Sequence, residues 1–462
     1  MGELPDLAVV GHTNAGKTSL LRTLTRDAEF GEVSARPATT RHVEGVELMA
    51  DGRPMLRLYD TPGLEDALGL ADLLEALSGN ERLDGPEQIE RFLASPEARG
   101  RFEQEAKVLR QLRASDAALY VIDARDPVLA KYREELAILA RCARPLLPIL
   151  NFVGQPGHRA EAWREMLARV GLHAVVAFDT VAPAVDGERR LYAALATLIE
   201  PHRDTLEQLI AARAGEAVAR ADAARHLIAE MLIDIAAMRR TVAEEAAEPT
   251  ALGALQDAVR QREGAAADAL LGLYGFRRED APTLALPVLS GRHDDDLFHP
   301  RALRDAGVRV GTGAATGAAA GMGIDLVTGG LTLGAAAALG AIAGGLWQTV
   351  SHYGERLGDR LRGYRELTVD DAILRLLALR AQALLEALER RGHAATTRLE
   401  LPAAAAPEGW RDAPLPPALA EARIHPHWSS LSARYTPDED RMAAAAELAR
   451  AIRALPAPPA SE

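Results

Sequence analysis

Apolar residues along the first 200 positions fall into short runs of strand length, separated by stretches with helical spacing. Leu7 to Val10 is one such run and ends in Gly11, while Leu20 to Thr25 continues as a helix. Val43 to Met49 and Met55 to Tyr59 flank Asp51-Gly52, a pair that favours a hairpin turn. Ala117 to Ile122 and Leu146 to Leu150 are continuous apolar runs, as strands covered on both faces require. Ala174 to Phe178 is a further candidate. Strands separated by helices predict a doubly wound, mostly parallel α/β sheet over residues 1–200.

The pattern changes after about residue 200. Ala224, Leu227, Ile228, Met231, Leu232, Ile235, Met238 and Val242 recur at helical spacing. Ile373, Leu377, Leu384 and Leu388 repeat it, after Thr368-Val369-Asp370-Asp371 as a cap and before Gly392 as a stop. The second half is therefore expected to be mainly α-helical. It divides into a helical region over 201–300, a Gly/Ala-rich hydrophobic hairpin over 301–360, and a helical region with a Pro/Ala-rich tail over 361–462.

Composition narrows the setting. The 462 residues carry 53 Lys and Arg against 66 Asp and Glu, a formal net charge of −13. That balance disfavours broad nucleic-acid binding, which needs a basic face. Only 4% of residues are aromatic, so Ala, Leu, Val and Ile must fill the core, which favours helices over an all-β fold. The single Cys142 excludes an intrachain disulfide and any multi-Cys metal site. Met1 to Asp6 has no basic region and no apolar run, so it does not read as a signal peptide. A cytoplasmic location is expected.

One motif carries chemistry. Gly11-His12-Thr13-Asn14-Ala15-Gly16-Lys17-Thr18 matches G-x-x-x-x-G-K-[ST] in full, between an expected strand and an expected helix. Its glycines let successive backbone N–H groups turn toward phosphate oxygens, and the helix N-terminus adds positive potential. Gly11, Asn14, Ala15, Gly16, Lys17, Thr18 and Ser19 are thus candidate nucleotide-binding residues. Lys17 would reach the β- and γ-phosphates, and the Thr18 hydroxyl would join Mg²⁺. Asp60-Thr61-Pro62-Gly63 follows at a strand end, placing Asp60 as a further Mg²⁺ group and the Gly63 N–H as a γ-phosphate sensor. Ala38-Thr39-Thr40-Arg41 lies between, with Thr40 as the third candidate Mg²⁺ group.

These segments, in this order, resemble the translation-factor-related GTPases, and most closely the Era and TrmE branch. That branch carries G-x-x-N-x-G-K-[ST], then T-T-R, then D-T-x-G. Over its whole length the chain resembles bacterial GTPases that join such a domain to a C-terminal helical domain of unknown function. The resemblance implies binding of GTP and GDP, Mg²⁺-dependent hydrolysis, and two switch loops. It implies Lys17, Thr40 and Gly63 as catalytic positions, and K⁺ at Asn14.

Two departures stand out. At the place of the guanine-reading N-K-x-D, the chain has Asn151-Phe152-Val153-Gly154. Asn151 is kept, whereas the Lys and Asp are missing. A site that loses its specific acceptor loses discrimination, and Asp179 or Thr180 after the next strand would have to compensate. Leu64 follows Gly63, where Ras-like proteins have Gln, and Glu65 and Asp66 read as solvated loop charges. Residues 67–107 form a long insertion, either an effector surface or a helical decoration packed on the domain.

Between Gly311 and Gly345, 22 of 35 residues are Gly or Ala. Repeated small-xxx-small spacing, as at Gly313, Gly317 and Gly321, lets helix backbones approach closely. A membrane hairpin over 310–351, with its turn between Asp325 and Gly330, would keep Arg301, Arg304, Arg309, Arg356, Arg360 and Arg362 on one side. A tightly packed soluble hairpin is the alternative. His293-Asp294-Asp295-Asp296-Leu297-Phe298-His299 reads as an acidic loop more than a metal site, and His425-Pro426-His427 is a weaker candidate still.

The sequence therefore points to a GTP-hydrolysing switch that couples nucleotide state to its helical half, at the inner face of the cell membrane if 310–351 meets lipid. A nucleotide-binding scaffold or membrane-interaction protein with little hydrolysis is the second reading. A ribosome- or RNA-related GTPase is the third. A protein partner and a dimer fit the switch reading, and a nucleic-acid partner is not expected.

Overall fold

Leu7 and Val9 bury their side chains on one face of strand β1 (Asp6–Val10), and Ala8 and Val10 bury theirs on the other. This two-sided burial is why the run is apolar throughout, with no polar alternation. The computed structural model describes residues 4–26, 30, 43–79, 81–184, 186–243, 248–276, 324–326, 364–391 and 415–453. They fall into two compact units, one built on residues 1–219 and the other on 220–388 and 398–462, with 389–397 grouped in the first.

The first unit is a six-stranded sheet. To β1 it adds β2 (Glu44–Ala50), β3 (Arg53–Asp60), β4 (Ala117–Asp123), β5 (Leu146–Asn151) and β6 (Val176–Ala177), in the order β2-β3-β1-β4-β5-β6. All pairs are parallel except β2 with β3. Asp51 and Gly52 both take positive φ, 50° and 70°, so the β2–β3 hairpin has the turn that its sequence predicts. Chain order reverses between β1 and β4, and a sheet wound this way opens a crevice at the carboxyl ends of its strands.

Helices cover both faces. On one side α1 (Lys17–Thr25) and α7 (Gly187–Leu198) place Leu20, Leu24, Leu191 and Leu195 against Val9, Leu119 and Ile149. On the other, α2 (Ala67–Ser78), α3 (Gly85–Ala94), α4 (Glu103–Ala114), α5 (Ala130–Ala140) and α6 (Ala160–Arg169) meet Ala8, Tyr120 and Ile122. The 67–107 insertion is thus α2, α3 and the start of α4. It buries Leu70, Leu74, Ile89, Phe92 and Phe102 in that core, so it packs on the domain. Asp84 and Glu87 form a reciprocal capping box at the start of α3.

The second unit is helical with a small antiparallel sheet. The C-terminal part of α8 (Arg203–Ala237) joins α9 (Glu248–Leu273), α10 (Asp371–Arg390), α11 (Pro417–Ala422) and α12 (Glu439–Arg453). Ile228, Leu232, Ile235, Leu270, Ile373, Leu377, Trp428 and Leu448 share one core. Within it, the buried Asp234 accepts from Arg262 Nε at 2.7 Å, Arg441 at 3.0 Å, and the Ser430 N–H and hydroxyl at 2.9 and 2.7 Å.

Three short strands join the mainly helical second half. β7 (Arg240–Ala243), β8 (Ile324–Leu326) and β9 (Tyr364–Val369) pair antiparallel in the order β7-β9-β8. The helical stripe stops at Ala237, and Val242 lies in a strand, where a β-branched residue fits well. Asp325, expected at a helical hairpin turn, pairs with Thr368 in a strand ladder. The remainder of 310–351 lies outside the described residues, as does the acidic run 293–299. Among the described residues, no helix is long and apolar enough to cross a membrane.

Candidate functional site

The glycine-rich loop leaves β1 at its carboxyl end and feeds directly into α1. Gly11 has φ +143°, and a Cβ there would stand 2.4 Å from the Val121 carbonyl oxygen. Gly16 has φ +94°, and a Cβ there would meet Asn151 Nδ2 at 2.3 Å. Both positions therefore demand glycine, by conformation and by close approach. Asn14 also takes positive φ, 64°, and Ala15 donates its N–H to His12 O at 3.3 Å, closing the turn. Ser19 lies in the first turn of α1.

Lys17 folds back over this loop. Its Nζ donates to Gly11 O at 3.1 Å and His12 O at 2.9 Å. Burial lowers its pKa, and the nearby Asp60 and Glu135 carboxylates oppose that shift. The ammonium is thus held by loop carbonyls at the mouth of the cradle, where a phosphate would offer stronger, charged acceptors.

Thr18 donates its hydroxyl to Asp60 Oδ2 at 2.5 Å. Asp60 is 1% exposed, and its Oδ1 has no hydrogen-bond partner among the described residues. Burial raises the Asp60 pKa, against the lowering effects of the Thr18 hydroxyl and the Lys17 ammonium. A hydroxyl and a half-satisfied buried carboxylate side by side form an all-oxygen donor set suited to Mg²⁺. Next to it, Thr61 donates to Val9 O at 2.7 Å. Gly63 lies so close to the loop that a Cβ would meet the Thr13 hydroxyl at 2.3 Å and the Thr13 N at 2.8 Å. His12 and Leu64 form an isolated parallel bridge that ties the two segments together.

Asn151 connects the far side of the site. Its amide donates to Ala15 O at 3.1 Å and accepts from the Thr180 N–H at 3.0 Å and the Phe152 N–H at 2.9 Å. Phe152, at the position of the missing Lys, takes φ +58°, and its ring lies 3.4 Å from the place of a Gly16 Cβ. The Arg125 guanidinium sits 4.0 Å above that ring. The structure thus brings together Gly11, Asn14, Ala15, Gly16, Lys17, Thr18, Ser19, Asp60, Gly63 and Asn151. Thr40, with the rest of 38–41, lies outside the described residues.

Some roles went unforeseen. The His12 ring contacts Glu135 Oε1 through Nδ1 at 2.7 Å and Lys131 Nζ through Nε2 at 2.8 Å. Tyr120 donates to the other Glu135 oxygen at 2.9 Å. Glu135 is 1% exposed, so a buried carboxylate on α5 braces the first variable residue of the loop. Asp66 is more than a solvated charge: it caps α2 by accepting from the Gly69 N–H at 2.9 Å and pairs with Arg101 at 2.7 Å. The Gly69 N–H, then Arg101, hold its carboxyl below the usual value. His425 stacks on Trp428 and His427 pairs with Asp438, and no His, Cys, Asp and Glu cluster fit for a metal occurs among the described residues.

Residues 6–152 match the family described as 50S ribosome-binding GTPase, and residues 164–450 match a domain of unknown function, DUF3482. GTPase Der of Nitrobacter hamburgensis is 29% identical over 143 residues, covering 31% of this chain and 31% of that protein. Elongation factor 4 of Synechococcus elongatus is 24% identical over 207 residues, covering 44% and 31%. The chain thus spans under a third of the length of these curated relatives. Among solved structures, Aquifex aeolicus Era bound to GDP and AlF4⁻ is similar at 19% identity and a TM-score of 0.30, covering 43% of this chain and 57% of that one.

Proposed function

The chain belongs to the DUF3482 family and carries a GTP-binding, P-loop GTPase domain at its N-terminal end, and from that premise we propose that it is a GTP-hydrolysing switch. The observation that carries the reading is the convergence of Lys17, Thr18 and Asp60 at the mouth of a loop whose glycines are irreplaceable. The loop amides and the α1 N-terminus bind the phosphates, and Lys17 exchanges its carbonyl partners for phosphate oxygens. Thr18 and Asp60 would hold Mg²⁺, which when bound neutralises charge developing on the phosphates. Gly63, lying against Thr13, would supply an N–H to the γ-phosphate, and the preceding segment would supply the Thr40 hydroxyl to Mg²⁺. Loss of that phosphate releases both segments.

Asn14 supports K⁺ as a further cofactor, to be tested by comparing hydrolysis in K⁺ and Na⁺. The helical second unit would convert the switch into a change of partner. The family description of residues 6–152 makes the 50S ribosome one candidate partner, against the sequence expectation of no nucleic acid. Contact of 310–351 with the inner face of the cell membrane is the other, and flotation of the full chain with vesicles tests it.

The second reading, a nucleotide-dependent scaffold with slow hydrolysis, is favoured by Leu64. Its side chain is fully buried and it replaces the residue that orients water in Ras-like proteins. Affinities for GTP, GDP and ATP with Mg²⁺ test the nucleotide reading. Tight binding of GTP and GDP over ATP supports it, and equal or absent binding of all three removes it.

A further inference from the structure

The position of the base follows from the position of the phosphates. Asp60 and Gly63 follow β3 and mark the Mg²⁺ and γ-phosphate end of the site. The nucleoside must then extend the other way along the carboxyl ends, past β4 toward the loops that follow β5 and β6. Asn151 ties these two loops together and to the phosphate loop, through Thr180 and Ala15. Gly154 and Asp179 face each other across them. A Cβ built on Gly154 would stand 3.1 Å from Asp179 Oδ2.

Resting on the guanine-nucleotide reading above, we infer that Asp179 is the carboxylate that reads the base, supplied from the β6 loop into the space a side chain at 154 would fill. Three backbone donors fix its orientation. The Gly154 N–H reaches Oδ2 at 2.8 Å, and the Val181 and Ala182 N–H groups reach Oδ1 at 2.9 and 3.2 Å. A carboxylate has about four lone-pair sites, so Oδ2, with one hydrogen-bond partner among the described residues, keeps capacity for a base N–H. Guanine presents N–H donors at N1 and at its exocyclic amine. Adenine presents an acceptor at N1 and is repelled. The carboxylates at the end of β4 and on the loop after it are committed elsewhere: Asp123 is paired with Arg125 through both oxygens, and Asp126 accepts from the Tyr132 hydroxyl.

Two of these donors make the test specific, because the Val181 and Ala182 N–H groups both require an oxygen at the Oδ1 place and outweigh the single Gly154 N–H. In Asp179→Asn, the amide oxygen takes the Oδ1 place, with its two N–H partners, and the NH₂ takes the Oδ2 place. That NH₂ opposes guanine and donates to the C2 carbonyl oxygen of xanthine. Binding of GTP and XTP to the full-length wild type and to Asp179→Asn decides the matter. The inference expects GTP affinity to fall roughly 10–100-fold, as for loss of a charged hydrogen bond, with XTP affinity rising above it. An unchanged XTP-to-GTP ratio, or equal loss of both by folded protein, would overturn it. If Asp179→Asn does not fold, Asp179→Ser is compared with Gly154→Asp/Asp179→Ser. Recovery of GTP binding by the relocated carboxylate supports the inference, and no recovery overturns it. A wild type without guanine preference would instead refute the nucleotide reading itself.

Discussion

The Thr18 hydroxyl donates to Asp60 Oδ2 at 2.5 Å, across 42 positions of sequence, and leaves Asp60 Oδ1 buried without a hydrogen-bond partner among the described residues. The pair joins the first turn of α1 to the end of β3 and keeps one carboxylate oxygen unsatisfied. A buried carboxylate oxygen without a hydrogen bond is costly, and a bound cation would satisfy it.

Replacing Asp60 with Asn removes that charge. Burial raises the Asp60 pKa above its ordinary value of 3.8. For a raised carboxyl, the stabilising contribution is present below the ordinary value and is lost as pH rises through the raised one. Nucleotide-free wild type should therefore lose stability as pH rises through that window, and Asp60→Asn should lose less. Thermal melts from pH 4 to pH 8 check this, together with weaker Mg²⁺-dependent GTP binding by the variant.

Gly16→Ala tests the loop. The new methyl must occupy a left-handed conformation and displace Asn151 Nδ2. The substitution should cost about 1–3 kcal/mol in denaturant unfolding. It should also weaken GTP binding, because the Asn151 bond to Ala15 O is lost.

Glu135→Ala leaves the Tyr120 hydroxyl and the His12 Nδ1 without their acceptor in a buried place. The expected loss is roughly 2–4 kcal/mol. Glu135→Gln keeps an acceptor and should lose less, and urea unfolding of both variants orders them.

Asp234→Ala strips the shared acceptor from Arg262, Arg441 and Ser430 in the second unit. Arg441 is 4% exposed and would be left as a poorly compensated charge. A destabilisation of about 3–5 kcal/mol is expected, read by thermal or chemical unfolding of the full chain.

Local features were readable in the sequence because local physics writes them. Asp51-Gly52 set its hairpin, the two-sided apolar runs set β1, β4 and β5, and the glycine loop announced its own bend. The bracing of the site was not readable. His12 and Glu135 are 123 positions apart, and Asp234 and Arg441 are 207 apart. Such pairs leave no periodic trace, since either member alone reads as an ordinary surface charge. Val242 misled because a strand that directly follows a helix continues the helical apolar spacing for one more turn. Asp179 was visible only as a candidate, since its approach to Gly154 depends on how the loops after β5 and β6 fold together.

Turnover of GTP by the purified full-length chain with Mg²⁺, beside Lys17→Ala, tests the central claim most directly. The account predicts phosphate release by the wild type and its loss in the variant, with circular dichroism showing both proteins folded. Absence of turnover in the wild type, or equal turnover in both proteins, would contradict it.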